Sequence, residues 1–114
     1  MATENPFMKE IRQRGLIDER EIAFAADVSC TNGNRGKVWF FLSGSTLHLY
    51  EMAGLTQLGA LVEVLDLKDA QFIKGSSFIL HPTMKFRCGG HTYAFQGFAQ
   101  AKKVIAAVQE SCGA

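Results

Sequence analysis

The sequence predicts a mostly β domain of about seven antiparallel strands in a barrel or sandwich. A C-terminal amphipathic helix caps it, and a short extra N-terminal helix precedes it. Three observations carry this expectation. Apolar and polar residues alternate with a period of two through most of the stretch from Glu21 to Phe95. Turn residues, chiefly Gly, Asn and Ser, interrupt the alternation at short intervals. The last segment switches to the period of a helix.

The first element is helical in character. Asn5 can cap it, Pro6 suits the first helical position, and Arg12 and Arg14 lie near the negative end of the dipole. Gly15 can close it. Phe7, Met8 and Ile11 make a narrow apolar stripe, which must dock on another surface. From Ile22 to Cys30 the alternation reads as a half-buried strand. The turn Thr31-Asn32-Gly33-Asn34-Arg35-Gly36 follows, and its Asn-Gly pair is a strong hairpin signal. The return strand places Val38, Phe40 and Leu42 on one face and Lys37, Trp39 and Phe41 on the other. Ser43-Gly44-Ser45 then turns the chain into Thr46 to Met52, completing a three-strand meander.

Ala53 to Leu58 is expected as a loop and Leu61 to Leu67 as a strand. Gln71 to Lys74 and Phe78 to His81 are expected as two short strands. Met84 to Cys88 and Thr92 to Phe95 flank the compact turn Gly89-Gly90-His91. Strands without intervening helices pair antiparallel, and closure of the sheet would remove its exposed edges. In the last segment Phe98, Ala101, Ile105, Val108 and Cys112 step by three and four residues along one helical face. Gln100, Lys103, Gln109 and Glu110 take the other. So short a helix is unstable alone in water and must cover an apolar opening.

Composition narrows the function classes. The 114 residues suit one domain, with residues 1–20 as a helical extension and residues 21–114 as the domain proper. Twelve Lys and Arg against eleven Asp and Glu leave a net charge of +1, without the concentrated basic excess that nucleic-acid binding uses. Nucleic acid is therefore not an expected partner. There is no apolar run long enough for a transmembrane segment and no apolar block of signal-peptide type after the N-terminus, so a cytoplasmic protein is expected. Cys30, Cys88 and Cys112 are too few and too scattered for a disulfide framework, and Cys30 and Cys88 fit as small buried apolar residues.

Several segments resemble pleckstrin-homology (PH)-like domains of the bacterial PH and GRAM type. They are Gly36-Lys37-Val38-Trp39-Phe40-Phe41-Leu42 with Leu47-His48-Leu49-Tyr50-Glu51, then Val64-Leu65-Asp66-Leu67-Lys68-Asp69-Ala70. The third is Tyr93-Ala94-Phe95-Gln96-Gly97-Phe98 running into Ala101-Lys102-Lys103-Val104-Ile105. The resemblance spans roughly Glu21 to Ser111. It implies the PH-like superfold and a binding role rather than catalysis, while leaving open what is bound.

Residue chemistry points the same way. His48, His81 and His91 lack metal-ligand spacing, and Ser43, Ser45, Ser76 and Ser77 are accounted for by turns. No enzyme activity, cofactor or metal is expected. Two binding readings remain. The first is association with a protein partner, or with a second copy in a homo-oligomer, through an apolar outer sheet face. Its interface residues are Trp39, Phe41, Phe7 and Ile11, unless the helix through Phe7, Met8 and Ile11 covers that face within the same chain. The alternative is an anionic lipid headgroup held at the first hairpin by Arg35, Lys37, Asn32 and Asn34, where two cations give little attraction.

Overall fold

A computed structural model describes residues 6–54, 57–78 and 80–113. Helix α1 (Pro6–Gln13) leads into strands β1 (Ile22–Cys30), β2 (Gly36–Ser43), β3 (Thr46–Gly54) and β4 (Gln57–Asp66). A 3-10 turn at Leu67–Asp69 precedes β5 (Gln71–Ser76), β6 (Thr83–Cys88), β7 (His91–Gln96) and α2 (Ala101–Ser111). The seven strands form one antiparallel sheet in the order β4-β3-β2-β1-β7-β6-β5.

The period-two pattern decides which side of each strand is buried. Ile22, Phe24, Ala26 and Val28 on β1 meet Leu42, Phe40, Val38 and Gly36 on β2, and all but Gly36 are buried. Phe24 stacks on Phe40 at 5.0 Å between ring centroids, and Phe40 lies 4.3 Å from Phe95 of β7. Phe86 and Tyr93 extend this aromatic spine across β6 and β7. Such tilted and offset ring pairs add to the burial of large apolar area that dominates a small core.

Helix α2 covers the open side of this core with Val104, Ala107 and Val108, and Ala101, Ile105 and Cys112 pack partly beside them. Its approach to β5 is close. A Cβ on Gly75 would fall 2.8 Å from Cγ2 of Ile105, so the helix depends on the absence of a side chain there. Past the helix end the Gly113 amide donates to the carbonyl of Leu67, 3.0 Å away, pinning the chain to the 3-10 turn. The buried face differs in detail from the expected stripe: Val104 and Ala107 join Val108 at its centre, and Phe98 is buried just before the helix starts.

Three local expectations need correction. The sheet is not closed by hydrogen bonds: β4 and β5 are its two edges, and α2 with the 3-10 turn covers the core between them. β3 and β4 run further than expected, to Gly54 and from Gln57, so most of the loop expected over Ala53 to Leu58 is strand. Phe78 to His81, expected as a strand, is instead loop at its described positions. Pro82 explains part of this, since it offers no amide hydrogen to a ladder and disfavours helix just before it. Asn5, the expected helix cap, lies outside the described residues.

Candidate interaction surfaces

Side chains that point away from the core form two rows across the first four strands. One row runs Ala23, Phe41, His48 and Val64 from β1 to β4, and the other runs Ala25, Trp39, Tyr50 and Leu61. Both are apolar or aromatic over most of their length, which is unusual for a face that would otherwise meet water. Helix α1 accounts for the centre of this face. Ile11 and Phe41 are fully buried there with Leu16 and Ile17, and Phe7, Met8, Trp39, Tyr50 and Leu58 pack around them. Phe7 lies 4.9 Å from Trp39 and 6.1 Å from Phe41 between ring centroids, and the Trp39 indole nitrogen donates to the Gly54 carbonyl at 3.4 Å.

The four interface residues read from the sequence are therefore together, but not as an open surface. Phe41 and Ile11 have no exposure at all, and Phe7 and Trp39 are half-buried. The helix packs on its own sheet. The link after it is also tied down: Asp18 accepts from the Arg20 guanidinium at 2.6 Å and from the Gly44 amide at 2.9 Å. The Arg20 hydrogen bonds, opposed by partial burial and reinforced by the Gly44 amide, hold the Asp18 carboxyl well below the usual carboxylate range. Arg12 of the helix and Glu21, the residue before β1, form a further ion pair.

The cover ends before the apolar rows do. At the β4 edge Leu61 is 52% exposed and Val64 48%, and Val62, where the register shifts, is also exposed. In the sheet β4 pairs only with β3, and its ten residues include no Lys, Arg or Pro, the residues that commonly guard an edge. Nothing in the sequence of β4 marks it as an edge, because that is a property of the strand order.

No protein-family model matches this chain, and no curated protein matches it significantly.

The first hairpin presents a different picture from a headgroup cradle. Arg35 donates from Nε to Oε1 of Glu63 at 3.2 Å, from Nη1 to the Gly33 carbonyl at 2.7 Å and from Nη2 to Oδ1 of Asn32 at 3.0 Å. Its guanidinium also lies 5.8 Å from the centre of the Tyr93 ring, and the Tyr93 hydroxyl donates to Oε2 of Glu63 at 2.5 Å. Burial, joined by the Glu63 carboxylate, keeps that hydroxyl protonated far above the usual phenol range. This arrangement clasps the β1–β2 turn and β4 to β7. Arg35 and Asn32 are thereby committed within the chain, while Asn34 and Lys37 are exposed beside them. Among the described residues, no group of three or more His, Cys, Asp or Glu is placed to hold a metal ion, and no helix is long and apolar enough to cross a membrane.

Proposed function

We propose that this chain is a non-enzymatic PH-like interaction module that binds a protein partner through the apolar outer sheet face, at the β4 edge rather than at Trp39 and Phe41. A second copy of the chain is the first partner to consider. The observation carrying this reading is the exposure of Leu61 and Val64 on an edge strand, in rows continuous with the apolar cluster under α1. An unpaired edge offers backbone donors and acceptors, and apolar side chains next to it add burial when another strand docks. Two copies pairing β4 to β4 around a twofold axis would satisfy both at once. The seven antiparallel strands and the helix packed over their core support the PH-like resemblance. The internal engagement of Arg35 and Asn32 makes the first hairpin the weaker lipid candidate.

Light scattering coupled to gel filtration tests the reading. The parent chain should give a dimer mass, and the double variant Leu61→Lys/Val64→Lys should give a folded monomer. A parent that stays monomeric at the highest accessible concentration would remove the self-association form of the proposal.

A further inference from the structure

The small net charge conceals a strong asymmetry. Between Ala70 and Gln109 the sequence has five Lys and Arg and not one Asp or Glu, so seven cations face all eleven carboxylates elsewhere. That segment is β5, β6, β7 and most of α2, and α2 packs on β5; Glu63, Asp66 and Asp69 border its β6–β7 turn, so the uncompensated charge lies toward the β5–β6 end, with Lys74, Lys85, Lys102 and Lys103. Lys74 and Lys85 stand directly opposite each other across β5 and β6, a pairing of like charges that is unfavourable unless an anion lies nearby. Among the described residues, none of these lysines takes part in an ion pair.

The β5–β6 loop belongs to this basic half. Phe78 is 78% exposed and Leu80 95%, the two most exposed large apolar side chains among the described residues. Two clefts flank Phe78. One, of about 790 Å³, includes Leu80, His81 and Lys102, and the other, of about 700 Å³, includes Phe98, Lys102 and Lys103. A third, smaller cleft includes Lys74 and Lys85, and among the described residues no carboxylate lines any of the three.

We propose that this half of the domain docks on an anionic lipid bilayer, with Phe78 and Leu80 entering the interface and Lys74, Lys85, Lys102 and Lys103 meeting the headgroups. An exposed aromatic and a leucine lose unfavourable contact with water on entering the acyl boundary. Lysines around them can keep their ammonium groups at headgroup level while their stems lie along the apolar region. Charge alone would suit any polyanion. The almost uncovered apolar tip is what selects a bilayer. The surface is separate from the β4 edge, and docking does not require the chain to self-associate.

Sedimentation with vesicles of phosphatidylcholine containing phosphatidylserine provides the test, beside vesicles of phosphatidylcholine alone. Binding should need the anionic lipid and weaken in high salt. Phe78→Ser/Leu80→Ser should weaken it by about tenfold or more, because the inserted apolar area is lost. Lys102→Glu/Lys103→Glu should weaken it by about tenfold or more through reversal of charge. Circular dichroism matching the parent checks that these exposed substitutions leave the fold intact. In Phe78→Trp, brominated acyl chains should quench added emission that is absent from the parent chain. Absence of binding to anionic vesicles at low salt would overturn the proposal, as would a Phe78→Trp signal left unquenched on bound vesicles. Vesicle binding that needs the lysines but is indifferent to Phe78→Ser/Leu80→Ser would overturn the proposal, since it would show charge attraction to the headgroups without entry of the apolar tip.

Discussion

Replacing Ile11 by alanine measures how firmly α1 holds to the sheet. Ile11 is fully buried against Phe41, Leu16 and Ile17. The change removes three carbon atoms, worth about 2.5 kcal/mol of transfer free energy at about 0.8 kcal/mol per methylene. An unrelaxed cavity raises the cost, within the range of about 2–5 kcal/mol for such truncations. The loss has a ceiling, however. An eight-residue helix has little stability of its own, so once α1 releases, further weakening of its contacts costs the remaining domain nothing. Phe41→Ala has no such ceiling on the sheet side, because β2 stays paired between β1 and β3, and it should cost at least as much as Ile11→Ala. Urea denaturation followed by circular dichroism gives the loss. Trp39 emission reports the helix, since Phe7 and Phe41 lie beside the indole. Release of α1 should shift that emission to the red before the sheet unfolds. If Ile11→Ala leaves both the urea midpoint and the Trp39 emission unchanged, the docking of α1 on its own sheet is refuted.

Two further outcomes test the polar ties. Tyr93→Phe removes the hydroxyl that donates to Glu63 and should cost about 1.5–3 kcal/mol, the usual range for a hydrogen bond to a charged group, measured by urea denaturation at neutral pH. The pH dependence of stability should show two losses on acidification. Burial lowers the His48 pKa from its ordinary 6.5, so the unfolded chain takes up the proton first and stability falls as pH drops below about 6.5. Asp18 is also depressed, from about 3.8, so its contribution is present above that value and is lost as pH falls below it. His48→Gln should remove the first loss and Asp18→Asn the second.

The sequence made the strands legible because their inner residues are large and their turns chemically marked. Phe24, Phe40 and Phe95 alternate cleanly, and the described glycines of the first turn, Gly33 and Gly36, take the left-handed backbone that such turns favour. The Phe78–His81 segment was less legible, because its three apolar residues look like a strand whether or not a partner strand is available. The candidate surfaces were harder still to read. Trp39 and Phe41 were rightly placed on the outer face, but burial there depends on contacts from Phe7 and Ile11, which are distant in sequence. Leu61 and Val64 matter only because β4 is an edge, and that is a property of the strand order. The basic half, by contrast, was present in the sequence and lost in its average: a sum of +1 cannot show that every carboxylate lies outside residues 70–109.

The geometry of α1 explains why an apolar edge is left at all. Eight helical residues extend about 12 Å, and a helix with its side chains is about 10 Å wide. The outer face spans four strands at about 4.8 Å spacing, and the run on β4 from Leu58 to Val64 is about 20 Å long. One helix cannot cover both dimensions. The apolar cluster it forms with Leu16, Ile17 and Phe41 takes in Leu58 at one end of that run and shields Trp39, but Leu61 and Val64 stay exposed. A longer helix could have hidden them, and polar residues at positions 61 and 64 would have made them harmless, since neither side chain belongs to the buried core. The uncovered apolar pair is therefore not a requirement of the fold, which is why the β4 edge rather than the face beneath α1 is the better place to look for a partner.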